Sequence, residues 1–149
     1  MNKLTLLLGF LAVGITSHAG AEVEAGMTGS ILLTPADLKW VPMERPGTEM
    51  ALAEGDPAVG PAHFYLRYQK GFVGGEHYHS GDHGGWILSG TVILTVDGKD
   101  TRLPPGSFYF IEARKPHVAK CDQGAVCIMT VDVRERWDVI GVPASAPVR

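Results

Sequence analysis

The chain lacks the features of several protein classes. Lys and Arg number 13 against 16 Asp and Glu, so the formal charge is −3, and no basic stripe of the kind that binds nucleic acid is present. Beyond the N-terminal start, no apolar run approaches the length of a membrane span. No segment sustains the 3.6-residue hydrophobic period of an amphipathic helix. We therefore expect an all-β protein that does not bind nucleic acid.

Two common catalytic patterns are missing as well. The serines have no accompanying His and Asp arrangement for nucleophilic catalysis. No glycine-rich loop of the phosphate-cradling type occurs. Catalytic residues therefore remain unknown from the sequence, and any chemistry must come from another group of side chains.

Residues 1–21 have the pattern of a secretory signal peptide. Lys3 gives a short positive start, and residues 4–15 form an apolar stretch too short to span a bilayer comfortably. The small residues at 19–21 suit cleavage before Glu22, with cleavage after Ala19 as a nearby alternative. An uncleaved anchor or a buried helix is the other interpretation. We expect a periplasmic or secreted protein with no membrane attachment after cleavage.

The remainder is the size of one ordinary domain. Residues 22–61 are interpreted as an N-terminal leader and loop, with a short strand at 38–41. Four prolines and three glycines in residues 42–61 predict a long loop there. Residues 62–143 are predicted to form the β-rich core, and residues 144–149 a tail.

From residue 62 onward, short β-type runs alternate with turn residues. His63, Tyr65 and Arg67 alternate with apolar neighbours, which is typical of a half-buried strand. Asp97-Gly98 predicts a hairpin, and Pro104-Pro105-Gly106 predicts another sharp turn. Further strands are expected at 86–88, 91–96, 108–111, 117–120 and 126–133. Many short strands separated by turns indicate a sandwich or barrel.

Four histidines in this region suggest a metal site. His77 and His79 are two residues apart, so in a strand both side chains project from one face and could chelate one ion. His83 lies four residues further on, where a loop or bulge could return it to the same centre. His117 opens a later strand. Neutral imidazole is the commonest metal ligand near pH 7.

The spacing of these residues resembles two motifs of the cupin superfamily. Gly71, His77, His79, His83 and Gly90 match the first cupin motif, with His83 where the family usually has Glu. The run 60–79 also resembles uncharacterised cupins related to the cupin-like domain of metal-binding anti-sigma factors.

The second motif is less well preserved. Gly106 and His117 match it, whereas Glu112 and Arg114 replace its usual Pro and Gly, and Cys121 replaces its terminal Asn. The resemblance implies a single-domain cupin: a small antiparallel β-barrel of jelly-roll type, and it allows a homodimer.

The resemblance also implies that His77, His79, His83 and His117 bind one divalent transition metal (Zn, Fe, Ni, Cu or Mn). Asp82 is the alternative to His83 as the fourth ligand. The expected function is a metal-dependent enzyme, either a dioxygenase or other oxidoreductase, or an isomerase, acting on a small-molecule substrate. The alternative is a non-catalytic metal-binding or ligand-sensing module.

Replacing the usual Glu with His changes the charge of the centre. Four neutral imidazoles leave the full +2 charge on a divalent ion, so the site should attract an anionic ligand and favour nitrogen-preferring metals. Four ligands on tetrahedral zinc would close the site and make it structural. A five- or six-coordinate metal would keep an open position for chemistry.

The cysteines, one arginine and the aromatic residues each have two interpretations. Cys121 and Cys127 can form a disulfide across a turn, and two free thiols are the alternative. Arg67 is interpreted as a solvated charge in preference to a carboxylate-binding residue. Aromatic residues are interpreted as core in preference to pocket lining; these are Tyr65, Tyr78, Trp86, Phe108, Tyr109 and Phe110.

Overall fold

The structure is a computed structural model that describes residues 29–143, of which residues 32–143 form one compact unit. The predicted signal peptide and the predicted tail lie outside the described residues. No helix within the described range is long and apolar enough to cross a membrane. Residues 29–143 contain no α-helix and eleven strands: β1 Val41–Pro42, β2 Thr48–Gly55, β3 Ala62–Tyr68, β4 His77–Tyr78, β5 His83–Ser89, β6 Val92–Val96, β7 Lys99–Leu103, β8 Phe108–Ile111, β9 His117–Cys121, β10 Cys127–Val133 and β11 Ile140–Gly141.

The strands form two antiparallel sheets, as expected for a jelly roll. One sheet has the order β1-β2-β3-β10-β5-β8, and the other has the order β11-β4-β9-β6-β7. The hydrophobic core contains residues of both sheets, and its largest fully buried side chains are Phe64, Ile87, Val92 and Val131. The prediction of an all-β, jelly-roll cupin fold is confirmed.

The central strands β3 and β10 have the alternation of buried and outward-facing residues that the sequence predicts. In β3, Ala62, Phe64 and Leu66 are buried while His63 faces outward. β10 alternates in the same way and pairs with β3 on one side and β5 on the other. The predicted Asp97-Gly98 hairpin joins β6 to β7, with both turn residues at positive φ. The turn predicted at residues 104–106 is also present, since the Ser107 amide donates to the Pro104 carbonyl.

The long loop predicted at residues 42–61 is wrong over its central part. Residues 48–55 form β2, which pairs with β3 from Thr48 to Gly55 with a bulge between Leu52 and Glu54. The four prolines flank this strand and none interrupts it, so they leave its backbone hydrogen bonds intact. The short strand expected at 38–41 is also mostly wrong, because only Val41, together with Pro42, pairs with β2.

Of the two alternatives for the cysteines, the structure has the disulfide. Cys121 ends β9 and Cys127 begins β10, and the two are bonded with their Cα atoms 5.8 Å apart. This spacing lies in the normal range for a disulfide. The bond therefore links the two sheets at the end of the strand that begins with His117.

Candidate metal centre

Three of the four predicted histidines converge on one point. His77 in β4 is the direct cross-strand partner of His117 in β9, and their ring centroids are 4.4 Å apart. His79 lies two residues beyond His77 on the same face. The candidate ligand atoms of these three residues all lie within 4.8 Å of one another. A single ion can therefore contact all three side chains.

Backbone carbonyls fix the orientation of these three rings. The Nδ1 atom of His77 lies 2.9 Å from the Gly75 carbonyl oxygen, and that of His117 lies 2.8 Å from the Lys115 carbonyl oxygen. Nδ1 of His79 contacts the Asp138 carbonyl oxygen in the same way. A carbonyl only accepts, so each Nδ1 must carry the proton, which leaves the Nε2 lone pair free for a metal.

Burial keeps these imidazoles neutral. It lowers the pKa of His77 and of His117, outweighing the backbone hydrogen bonds that act in the opposite direction. Burial lowers the pKa of His79 to about 4. A neutral imidazole is the metal-binding form, so at pH 7 the three donors are ready without loss of a proton. Three nitrogen donors of this kind fit a transition metal and disfavour Mg²⁺ or Ca²⁺.

His83 lies beside the cluster without joining the group of three. It begins β5, and its ring centroid is 4.4 Å from that of His79 and 5.5 Å from that of His117. Its Nδ1 is buried with no hydrogen-bond partner among the described residues, so no carbonyl fixes this ring. Burial and the neighbouring histidines lower the pKa of His83 to about 2. Asp82, the alternative fourth ligand, is also outside the group of three.

The glycines of the first motif are required by the backbone. Gly90 has φ +68°, and a Cβ there would lie 2.7 Å from the Val126 carbonyl oxygen. Gly71 has φ +70°, and a Cβ there would meet the Gln123 side chain at 2.4–2.7 Å. In the second motif Arg114 stands where the family usually has Gly, and it has φ +61°. That position therefore keeps the left-handed backbone although its side chain disfavours it.

Two residues of the site, Trp137 and Asp138, are not predicted from the sequence. The Trp137 ring stacks on His79 with centroids 3.9 Å apart, and its Nε1 is buried without a partner among the described residues. Asp138 supplies the carbonyl for His79, and its carboxylate accepts hydrogen bonds from the Ser80 amide and hydroxyl. These bonds lower the pKa of the Asp138 carboxyl. Both residues follow β10 outside either motif, so no spacing rule identifies them.

A cavity of about 530 Å³ opens beside the cluster. Its walls include His77 and His79, and its apolar lining comes from both sheets and the segment after β10. Burial raises the pKa of Tyr68 in this wall to about 12, so its phenol stays neutral and can donate a hydrogen bond. The residues lining the cavity are Met43, Glu44, Arg45, Thr48, Leu66, Tyr68, Phe72, Gly74, His77, His79, Ala119, Trp137, Asp138, Val139 and Gly141.

Arg67 is outside this cavity. Its Nε donates to Glu49 at 2.7 Å, and its guanidinium lies 4.2 Å from the centroid of the Trp40 ring. The interpretation as a solvated charge is therefore wrong, because Arg67 is half-buried in an ion pair that neutralises it.

The outer aromatic residues also differ from expectation. Trp86, Phe108 and Phe110 are each more than half exposed, whereas Tyr109 is buried. The core interpretation is wrong for the first three. Strand alternation explains this, because Tyr109 and Ile111 of β8 point inward and their neighbours in the strand point outward.

Comparison with curated proteins gives a relative among transcriptional regulators. The chain is 32% identical over 109 residues to the HTH-type transcriptional regulator PuuR of Escherichia coli (strain K12). The match covers 72% of this chain and spans 58% of the length of that regulator.

Solved structures share the fold at low sequence identity. The polyketide cyclase RemF from Streptomyces resistomycificus matches with a TM-score of 0.67 and 20% identity, over 78% of this chain and 88% of that one. Salicylate 1,2-dioxygenase from Pseudoaminobacter salicylatoxidans, in complex with gentisate, matches with a TM-score of 0.53 and 14% identity. That match covers 61% of this chain and 26% of the dioxygenase.

A protein-family model matches the middle of this chain. Residues 64–133 match the model described as a cupin domain. This range contains all four histidines of the two motifs and runs from β3 to the end of β10. The chain therefore contains a cupin domain, as the two motifs predict.

Proposed function

We propose that this chain is an exported, metal-dependent cupin enzyme, an oxygenase or other oxidoreductase, that acts on a small anionic organic molecule. One observation carries the proposal: three imidazoles with free Nε2 atoms converge beside a cavity large enough for a small organic ligand. A purely structural site needs no such cavity. Because four imidazoles would close a tetrahedral zinc site, the proposal requires a five- or six-coordinate ion, which keeps a position open.

His77, His79 and His117 would hold the ion, and we propose His83 as the fourth ligand. When bound, a transition metal supplies Lewis-acid or redox chemistry at a position that the protein leaves open. All four imidazoles are neutral at pH 7, so they do not offset the charge of a divalent ion. The centre therefore favours an anionic ligand.

The cavity wall orients a ligand and limits the access of water. Trp137 packs against the back of His79, and Phe64 in turn meets the Trp137 ring edge-on with centroids 5.3 Å apart. This stack keeps His79 from rotating away from the cluster. Leu66 and Phe72 give the cavity an apolar lining, and the neutral Tyr68 phenol offers it a polar group. Such a wall suits an organic molecule with an apolar body.

The similarities support this proposal at the level of fold and ligand class. Salicylate 1,2-dioxygenase is named as an oxygenase and binds gentisate, a small organic anion. RemF, which is named as a cyclase, uses the same fold for a different reaction. The reaction of this chain must therefore be argued from its own site.

A non-catalytic ligand-sensing module is the alternative, and the similarity to PuuR favours it. A sensor and an enzyme would use the same cavity, but only the enzyme changes its ligand. The two are separated by incubating the metal-loaded protein with small carboxylates under O₂ and analysing the mixture by mass spectrometry. Conversion of one compound with matching O₂ consumption supports the enzyme, whereas recovery of every compound unchanged supports the sensor.

Export is proposed from the N-terminal pattern alone. Lys3, the apolar run at 4–15 and the small residues at 19–21 support it. N-terminal sequencing of the protein from the periplasm or medium should begin at or near Glu22. An intact Met1 terminus in that fraction would contradict cleavage.

The open metal position has a direct test. Protein purified from its native compartment should contain about one transition metal ion per chain. After substitution with cobalt, azide should change the visible spectrum, because a small anion binds directly to an open position. Zinc as the sole native metal, together with a cobalt spectrum that azide leaves unchanged, would contradict the catalytic proposal.

A further inference from the structure

Arg45 brings a positive charge to the same cavity that exposes His77 and His79. It lies in the turn between β1 and β2 and lines the cavity. No carboxylate of residues 29–143 lies within 4.0 Å of its guanidinium, whereas Arg67, on the neighbouring strand, is paired with Glu49. The structure thus contains one paired and one unpaired arginine in the same region, and the unpaired one faces the cavity.

The backbone of Arg45 is fixed by the turn. Its carbonyl accepts hydrogen bonds from both the amide and the hydroxyl of Thr48, at 3.2 and 2.7 Å. Thr48 is itself buried, and the residue before it, Gly47, accepts a hydrogen bond from the Gln69 amide. The base of the Arg45 side chain is therefore held in place, which reduces the entropy lost when its head group binds a ligand.

Two glycines make room for the guanidinium. A Cβ on Gly75 would lie 3.3 and 3.4 Å from the Nη1 and Nη2 atoms of Arg45, and one on Gly74 would lie 3.6 Å from Nη1. The planar group thus packs against the bare backbone two residues before His77. The carbonyl of the same Gly75 orients the His77 ring. Arg45 and the metal-binding imidazole are therefore positioned by one short segment.

The remaining cavity lining indicates which anion fits. The wall is largely apolar, with Met43, Leu66 and Phe72. Glu44, beside Arg45, also lines the cavity, and its negative charge disfavours a doubly charged group such as a phosphate monoester. A planar carboxylate group matches the fork of a single guanidinium.

We propose that Arg45 binds the carboxylate of an organic acid whose apolar body occupies this cavity. This inference rests on the proposed function in one respect: the end of the ligand opposite the carboxylate would contact the metal. It predicts that carboxylate recognition belongs to the protein itself and persists without metal. It also makes Arg45, outside both cupin motifs, the residue that selects organic acids over neutral molecules.

The test uses metal-free protein and 3-phenylpropionate as the probe, with neutral 3-phenylpropionamide as the matched ligand. By titration calorimetry the carboxylate should bind about tenfold more tightly than the amide, because charge-assisted hydrogen bonds exceed neutral ones. Arg45→Gln should abolish this difference, and Arg45→Lys, which keeps the charge without the fork, should retain part of it. Arg67→Gln is the matched control and should behave as the wild type.

Two results would overturn the inference: equal affinity of the wild type for acid and amide, or an acid preference that survives Arg45→Gln. Zinc titration of the same proteins tests the metal proposal separately. A wild type that binds no transition metal but prefers the acid through Arg45 would overturn the proposed function and keep this inference. A protein that binds metal but shows no Arg45-dependent preference for the acid would overturn this inference and keep the proposed function.

Discussion

The histidines on the outer and inner sides of the β3-containing sheet differ in burial and in the partners of their ring nitrogens. His63 projects outward from β3, with Nδ1 2.6 Å from Asp132 and Nε2 4.0 Å from Glu54, so both ring nitrogens face carboxylates. His79 is buried, with Nδ1 on a backbone carbonyl. His77 and His117 share that carbonyl arrangement.

The difference shows what turns a histidine into a metal ligand in this fold. Residue type is common to His63 and the inner residues, and His63, His77 and His117 all lie in strands. What differs is the backbone carbonyl that takes the Nδ1 proton and leaves Nε2 free toward neighbouring imidazoles.

Removal of the inner ligands should have the largest effect. His77→Ala combined with His79→Ala should lower zinc affinity more than about 100-fold, since even outer-shell partners contribute 10–100-fold. His63→Ala is the matched control and should retain wild-type metal content. Elemental analysis after dialysis measures both. Full occupancy in the double variant, or loss of metal in His63→Ala, would contradict the contrast.

Acid should destabilise the metal-free protein because its buried histidines resist protonation in the folded state. Burial lowers the pKa of His79 to about 4 and that of His83 to about 2, so the unfolded chain binds protons that the folded one does not. Stability should therefore be highest above about pH 6.5 and should fall as the pH drops toward 4, by on the order of 3 kcal/mol for each of the two residues.

Urea unfolding of metal-free protein between pH 7.5 and 4 measures this change. The His79→Gln/His83→Gln variant should lose less stability over the same range, because glutamine does not titrate. A pH dependence identical to that of the wild type would show that these two residues are not the cause.

His83 should have an intermediate effect. We expect His83→Ala to weaken zinc binding about tenfold, less than the loss of His77, because no carbonyl orients the His83 ring. Calorimetric zinc titration gives the affinity. An unchanged affinity would leave Asp82 or water as the fourth ligand, and Asp82→Ala would then decide between them.

Arg114→Gly should have the smallest effect, and it should stabilise the fold. Arg114 has φ +61°, and its amide donates to the His79 carbonyl at 2.8 Å, a bond that glycine keeps. Relief of the left-handed strain should stabilise the fold by about 1 kcal/mol, partly offset by the greater freedom of glycine in the unfolded chain. Thermal unfolding should show a slightly higher Tm. A lower Tm would mean that the side chain makes a contact that outweighs the strain.

The sequence predicts the fold well where a pattern has a direct physical cause. Alternation in β3 and the Asp97-Gly98 turn are local signals, and both match the structure. β2 is not predicted because proline content describes the whole segment, whereas pairing depends only on the residues between the prolines. The outward aromatics of β8 are misassigned because hydrophobicity alone does not say which face of a strand meets the core.

The sequence predicts only the part of the site that has a local pattern or a family motif. The spacing of His77 and His79 places both on one face, and the resemblance to cupins brings in His117. The partners that complete the site lie far away along the chain: the Asp138 carbonyl is 59 residues from His79. Arg45 lies in a turn that carries no motif. Long-range backbone contacts of this kind leave no periodic signal in a single sequence.

The claim that His77, His79 and His117 bind metal through Nε2 has one direct test, which is ¹⁵N NMR of the histidine side chains before and after addition of Zn²⁺. In metal-free protein these three rings should be neutral with the proton on Nδ1. Zinc should then shift their Nε2 resonances while leaving those of His63 in place. A zinc-induced shift confined to Nδ1, or one seen at His63 and absent from the inner rings, would contradict the account.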